Sequence, residues 1–461
     1  MKEQDNYTRW MFILFPAVSM MLGWGLRGHI GGGPFGAMIP GAMVALSIGM
    51  LLKLPVKAVS VLLVLGIAGI GLGGEMTYGQ TLGFLKNPDT VWWGTAGTTT
   101  KGAVWGFLGG AVFALGLIFK RISTKKLIVA FLMLFAGILI GFNLINDPMI
   151  LYFSYPEKPR AESWAGLLFG AVFLLTYLKY TINTNDFKIV FRFALWGLLG
   201  GGLGFGLGGF WLVMGSHFPD VIFTNWWKAM EFSFGFLLGA SLGYAAWQNR
   251  TELKQIGNSD WIVPEKPFKS VYKELALIFA AGIITYWMIP NLFEPFVDGA
   301  NNTDGFVLAL LRNISRIVVN YAFYGFLFVL ALICFPKLAW QLGITLTFSH
   351  AAIDLIRDFY PDTDKVSPFT SYFLIVVVLT AIVALLVVYF NRKENTIKNM
   401  FLLLIWSCVA VSFARLSLHP EKMNIEGLSF YQVICGRFIV DIFFAVSAVL
   451  LSVVIKKRFK E

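Results

Sequence analysis

Charge is scarce in this chain: 14% of its 461 residues are Asp, Glu, Lys or Arg, against about a quarter in an ordinary soluble domain. That shortage excludes a water-soluble body of this length. Cysteine is scarcer still. Cys334, Cys408 and Cys435 lie inside apolar runs without CxxC spacing, which argues against a disulfide framework or a zinc site. The histidines, at 29, 217, 350 and 419, form no HExxH or HxH pattern. Although His350 and Asp354 share a helical face, two ligands are too few, so neither a metal nor a cofactor is expected. A small-residue cleavage site is missing after the first apolar run, which therefore reads as a retained helix and not as a signal peptide.

What abounds is apolar sequence. Hydrophobic residues make up 57% of the chain and mean hydropathy is +0.71. The apolar runs are roughly 20 residues long, enough to cross a bilayer core of about 30 Å. The expected fold is an all-α, polytopic transmembrane bundle of about 14 spans, opening with 10–27, 34–52, 58–79 and 100–119 and including 306–335 as a single tenth span. The net charge of +11 is carried by alternate loops: Lys53/Lys57, Lys120 to Lys126, Lys179/Lys188, the 248–273 loop, Arg392 to Lys398 and Lys456 to Lys460. Under the positive-inside rule these loops and both termini are cytoplasmic, in a plasma (bacterial inner) membrane. The basic charge thus marks topology, with the lipid bilayer and not nucleic acid as partner. Oligomeric state is not readable.

The first half carries an internal repeat. Gly71-Leu-Gly-Gly74, Trp92-Trp93 and Gly106-Phe-Leu-Gly-Gly110 are echoed by Gly206-Leu-Gly-Gly209, Trp226-Trp227 and Gly235-Phe-Leu-Leu-Gly239. This spacing predicts two four-helix repeats, 1–123 and 124–250, then a cytoplasmic linker, 251–273, and a C-terminal six-helix bundle, 274–461. An even number of spans gives both copies one orientation, and parallel repeats of this kind enclose the binding site in secondary transporters. Glycines at helical spacing read as close-packing surfaces in lipid, and the tryptophan pairs as interfacial anchors.

Ionisable residues at membrane depth mark candidate sites. Arg27 and His29 lie in a glycine-dense stretch, Gly23 to Gly41, broken by Pro34 and Pro40. Backbone opened in this way is tolerated only where protein or a water-filled cavity covers it. Glu75 stands alone in the third apolar run, followed by Tyr78 and Gln80. Arg160 and Glu162 occupy the second copy's counterpart of the Arg27/His29 corner, while Lys101 and Glu231 follow the two tryptophan pairs. The candidate substrate-binding set is therefore Arg27, His29, Glu75, Tyr78, Gln80, Lys101, Arg160, Glu162 and Glu231, all near the external face. No residue is assigned a catalytic role. A guanidinium fork suits carboxylate and phosphate, which favours an anionic ligand. Arg437 and Asp441, four residues apart, are expected to pair.

The segment Trp24-Gly-Leu-Arg27-Gly28 with Gly36-Ala-Met-Ile-Pro-Gly41, and then Gly73-Gly74-Glu75-Met-Thr77-Tyr78-Gly79-Gln80, resembles a motif pair in a family of uncharacterised bacterial polytopic membrane proteins. That family reads W-G-x-R-G…G-A-M-I-P-G, followed by G-G-x-x-[ST]-Y-x-Q. The resemblance extends to Leu85 and brings no activity with it. It implies that Arg27, Tyr78 and Gln80 belong to one constellation. His29-Ile-Gly-Gly stands where the family carries a Gly-His-Glu-type run, so a carboxylate at that corner is missing.

Two functions fit these features. One is a transporter or permease for a small polar, anionic solute, with an external-facing site between the repeats. The other is a membrane-embedded enzyme acting on a lipid-linked sugar or acyl substrate at the external leaflet. A third reading, a sensor or assembly protein, leaves the polar residues pairing only with one another. Convergence of the candidate residues on one cavity separates the first two from the third.

Overall fold

The computed structural model describes residues 7–30, 32–158, 160, 162–218, 225–261, 268–297, 305–359, 368–417 and 424–459. Every regular element among them is helical, as apolar runs of this length require, because a helix satisfies its own backbone in lipid. Ten helical stretches are long and apolar enough to cross a membrane, which fits a multi-pass membrane protein. The principal helices are α1 (Arg9–Ile30), α2 (Met38–Leu51), α3 (Val56–Leu72), α4 (Val91–Leu117), α5 (Thr124–Gly141), α6 (Trp164–Thr181), α7 (Thr184–His217) and α8 (Trp226–Gln248). They continue as α9 (Val271–Ile283), α10 (Tyr321–Cys334), α11 (Leu346–Phe359), α12 (Pro368–Phe390), α13 (Thr396–Ser417) and α14 (Ile439–Arg458).

Glycine sets how closely the first eight helices approach. A Cβ on Gly106 of α4 would lie 1.8 Å from the Gly197 carbonyl oxygen of α7, and one on Gly197 would lie 2.0 Å from that of Gly106. Gly102 and Gly201 block each other in the same way, at 2.2 and 2.1 Å. Small residues are what allow such contact in lipid, where dispersion and close packing replace the hydrophobic effect between helices. Between α1 and α8 the seam has a further cause. Pro16 lacks an N–H, so the Phe12 carbonyl loses its helical partner, and Gly243 packs onto that oxygen so closely that a Cβ would sit 1.9 Å away. Every residue of α2 is buried, as is nearly all of α3. α1 and α8 pack against α2, α4 and α10 against α3, and α13 against both.

Three expected boundaries move. α1 stays helical to Ile30, so Arg27 and His29 sit on its last turns and not in opened backbone. The opening is confined to the following turn, where Gly32 and Gly33 take φ of 25° and 56°, values that only glycine adopts readily. The third apolar run ends in a tight turn at Gly73–Glu75, and the chain then folds back through a short helix, Gly79–Phe84. The expected tenth span is broken: Phe306–Val318 stops, and Asn320 caps a new start by accepting the Ala322 N–H. Within the linker, Arg250–Asp260 is helical. Pro264, Pro267 and His419 lie outside the described residues, as do the side chains of Arg357 and Asp358.

Candidate functional site

The last turns of α1, the turn after it, the segment after α3 and the start of α8 meet around Arg27. This side chain is 3% exposed and lies among three rings, its Cζ 5.4 Å from Trp24, 5.6 Å from Tyr78 and 5.2 Å from Trp105. Its Nε and Nη2 donate to the Gly33 carbonyl at 3.2 and 3.0 Å, and Nη1 donates to the Tyr78 hydroxyl at 2.6 Å. A guanidinium has five N–H donors, so two remain without a protein acceptor among the described residues. Trp105 is fixed by its own indole bond to the Ile70 carbonyl, 2.7 Å, which makes the aromatic wall rigid.

Tyr78 also faces the Trp227 ring, with centroids 6.0 Å apart. The Trp227 indole donates to Glu231 at 3.1 Å, and Lys228 donates to the other oxygen of the same carboxylate at 2.5 Å. Lys228 gives a second bond to the Gly25 carbonyl, 3.2 Å away, and its third N–H has no acceptor among the described residues. Glu231 fits because Gly28 has no side chain: a Cβ there would lie 2.1 Å from its Oε1. Gly28 is itself exposed, so this buried carboxylate lies beneath a glycine at the surface. Arg27 and Arg415 both repel Lys228 electrostatically. Arg27 and Lys228 thus lie near the one carboxylate of Glu231.

A second buried pair sits on α4. Lys101 donates to the Thr77 carbonyl at 2.6 Å, to the Thr81 hydroxyl at 2.8 Å and to Glu162 at 3.0 Å. An ammonium has three donors, so Lys101 is fully satisfied. Around this pair residues 153–158 are tied down. Thr81 donates to the Phe153 carbonyl, Gln80 donates to the Lys158 carbonyl, and the Tyr155 N–H donates to Gln80. Burial pushes the Glu162 carboxyl above the usual range, with Lys101 and the Phe153 N–H working against it.

The sequence-derived residues thus separate. Arg27, Tyr78 and Glu231 come together. Lys101, Glu162 and Gln80 form the outer tether, so Gln80 leaves the Arg27–Tyr78 constellation that the family resemblance implied. Arg160 stands exposed, away from the Arg27 cluster. His29 packs edge-on against Phe444 and lies 3.8 Å from Asp441 of α14, a neighbour that the expected Arg437–Asp441 pair did not include. Glu75 accepts the Tyr321 backbone N–H at the start of α10.

Sequence reasoning left Lys228 out of the site and treated Trp227 as a membrane anchor. Their signal was present: Lys228 precedes Glu231 by one helical turn, directly after the tryptophan pair. Trp92, 74% exposed, does suit an interface position, whereas Trp227 is partly buried against Tyr78. Trp227 also lines a cavity of about 250 Å³ with Lys86, Gly215, Ser216, Asn225 and Trp226. The Trp227 ring thus borders this cavity while its indole N–H binds Glu231. No protein-family model matches the chain, and it has no match among curated proteins or solved structures.

Proposed function

We propose that this chain is a transporter for a small polar, anionic solute, and that the solute is held at Arg27 and Lys228. The carrying observation is the buried guanidinium with two N–H donors that no described residue accepts, beside a lysine with one more, and Glu231 as the carboxylate near both. Charged donors in a dry site bind carboxylate or phosphate strongly, and their desolvation calls for an anion. Rings on three sides suit a compact organic anion. The cavity at Trp227 supplies the route from the side that the loop charges mark as external. In the full reading, about fourteen spans place both termini in the cytoplasm of a bacterial inner membrane. Two parallel four-helix repeats flank the site. The tryptophan pairs support the duplication, since they open α4 and α8, the last helix of each copy.

The test is uptake into proteoliposomes from a panel of labelled carboxylates and phosphate esters. Saturable uptake of at least one is expected for the wild type. Arg27→Ala should lower it by about tenfold or more, the loss of one charge-assisted bond. Equal uptake by this variant overturns the proposal.

A further inference from the structure

Glu75, half-buried, differs from the buried carboxylates on this side of the protein. Glu162 has Lys101, Glu231 has Lys228, and Asp441 has His29 at 3.8 Å. Among the described residues, no Lys, Arg or His forms an ion pair with Glu75. Its bond is to the Tyr321 backbone N–H, at the N-terminal end of α10, where a negative charge is favoured. The titratable groups that face it are Tyr321 and Tyr324 from α10, and Tyr324 also feels the charge of Glu294. Phe35 lies on the far side of these tyrosines, its ring meeting those of Tyr286, Tyr321, Tyr324 and His350 at 5.0–5.3 Å. An uncompensated carboxylate at membrane depth is a functional feature by default, and proton relays are built from such groups.

Phe35 belongs to the same turn that receives Arg27. The Gly33 carbonyl accepts two guanidinium bonds. Pro34 lies so close to Gly74 that a Cβ on the glycine would sit 2.3 Å from its Cα. The Gly32–Gly36 turn thus touches both Arg27 and the residue before Glu75.

We propose that Glu75 is a proton-exchange site, and that the Gly32–Gly36 turn couples its protonation to the anion site at Arg27. Glu75 takes a proton from water and later returns it to water; only an O–H bond forms and breaks. Neutralising Glu75 weakens its hold on the α10 N-terminus and frees Gly74 to move with Pro34, which shifts the Gly33 carbonyl that Arg27 holds. The coupling rests on the transport reading; the proton site does not.

A hydrophobic carbodiimide, which modifies neutral carboxyl groups, tests the site on the full-length protein in lipid nanodiscs, with adducts mapped by mass spectrometry. Glu75 should be labelled, with a rate that falls about tenfold per pH unit above its midpoint and is unchanged when sodium replaces potassium. Absence of labelling at every pH, or labelling indifferent to pH, overturns the proton site. Protection by sodium at constant pH overturns it in favour of a metal cation. Glu75→Gln keeps an acceptor for the Tyr321 N–H, so it should fold and still carry the anion downhill. It should lose accumulation driven by a pH gradient, and retained accumulation contradicts the coupling. Titrating labels without uptake of any anion leave the proton site standing and remove the transport reading.

Discussion

Lys101–Glu162 and Lys228–Glu231 are the same chemical pair, buried to the same degree in the same half of the molecule. Lys101 uses all three N–H donors, on a backbone carbonyl, a hydroxyl and a carboxylate. Lys228 uses two and lies beside an arginine that uses three of five. The first pair closes a structure: it ties residues 153–158 to the chain after α3. The second leaves charged donors over, which is what a ligand needs. Burial of an ion pair therefore does not mark a site; the donors that remain after the protein has been satisfied do.

The largest effect expected is at the closed pair. Lys101→Ala leaves Glu162 buried without its cation and should cost about 3–5 kcal/mol, seen as a lower midpoint in detergent unfolding. The Lys101→Ala/Glu162→Ala double variant should recover much of this loss. A double variant as unstable as the single would show that the pair is not the tether. Gly28→Ala comes next. Its methyl group displaces Glu231, costing about 1–3 kcal/mol, while amide exchange at Phe153 stays unchanged because the outer tether is not touched. Altered exchange at Phe153 would mean that the clusters are one unit and would break the comparison.

How much of this could be read from the sequence follows from the kind of information each feature needs. Apolar runs of bilayer length announce helices locally, and the glycine spacing announces the close seams. Arg27, Tyr78 and Glu231 were legible because a polar group in an apolar run stands out by itself. Their partners were not. Glu162 was placed opposite Arg27 by analogy between repeats, yet it meets Lys101, because pairing depends on which helices touch. Trp227 looked like Trp92 in sequence. Only the fold shows that one ring faces outward and the other covers Glu231. The break before Tyr321 was hidden inside a continuous apolar run, since Asn320 alone carries the capping signal.

Smaller changes sharpen the contrast further. Trp227→Phe removes the indole bond to Glu231 and should cost about 0.5–1.5 kcal/mol, with faster solute access through the neighbouring cavity; stopped-flow binding reads both, and slower access would count against that route. The smallest effect is a pH dependence confined to the tether. Burial raises the Glu162 pKa, so the buried arrangement holds its proton more tightly than an open one does. Its contribution is full below the ordinary carboxylate value and declines as pH rises through the raised one. Protection of the Phe153 amide, its exchange taken relative to the intrinsic rate at each pH, should fall over that interval, and Glu162→Gln should abolish the fall. A fall on acidification would reverse the sign and refute this reading of the pair.

The most direct measurement compares Arg27→Gln with Lys101→Gln in one uptake assay, normalised to folded, reconstituted protein. Arg27→Gln is expected to lower uptake per molecule by about tenfold or more, whereas Lys101→Gln lowers the yield of folded protein but leaves uptake per molecule intact. Equal loss per folded molecule in both variants, or none in Arg27→Gln, would contradict that expectation.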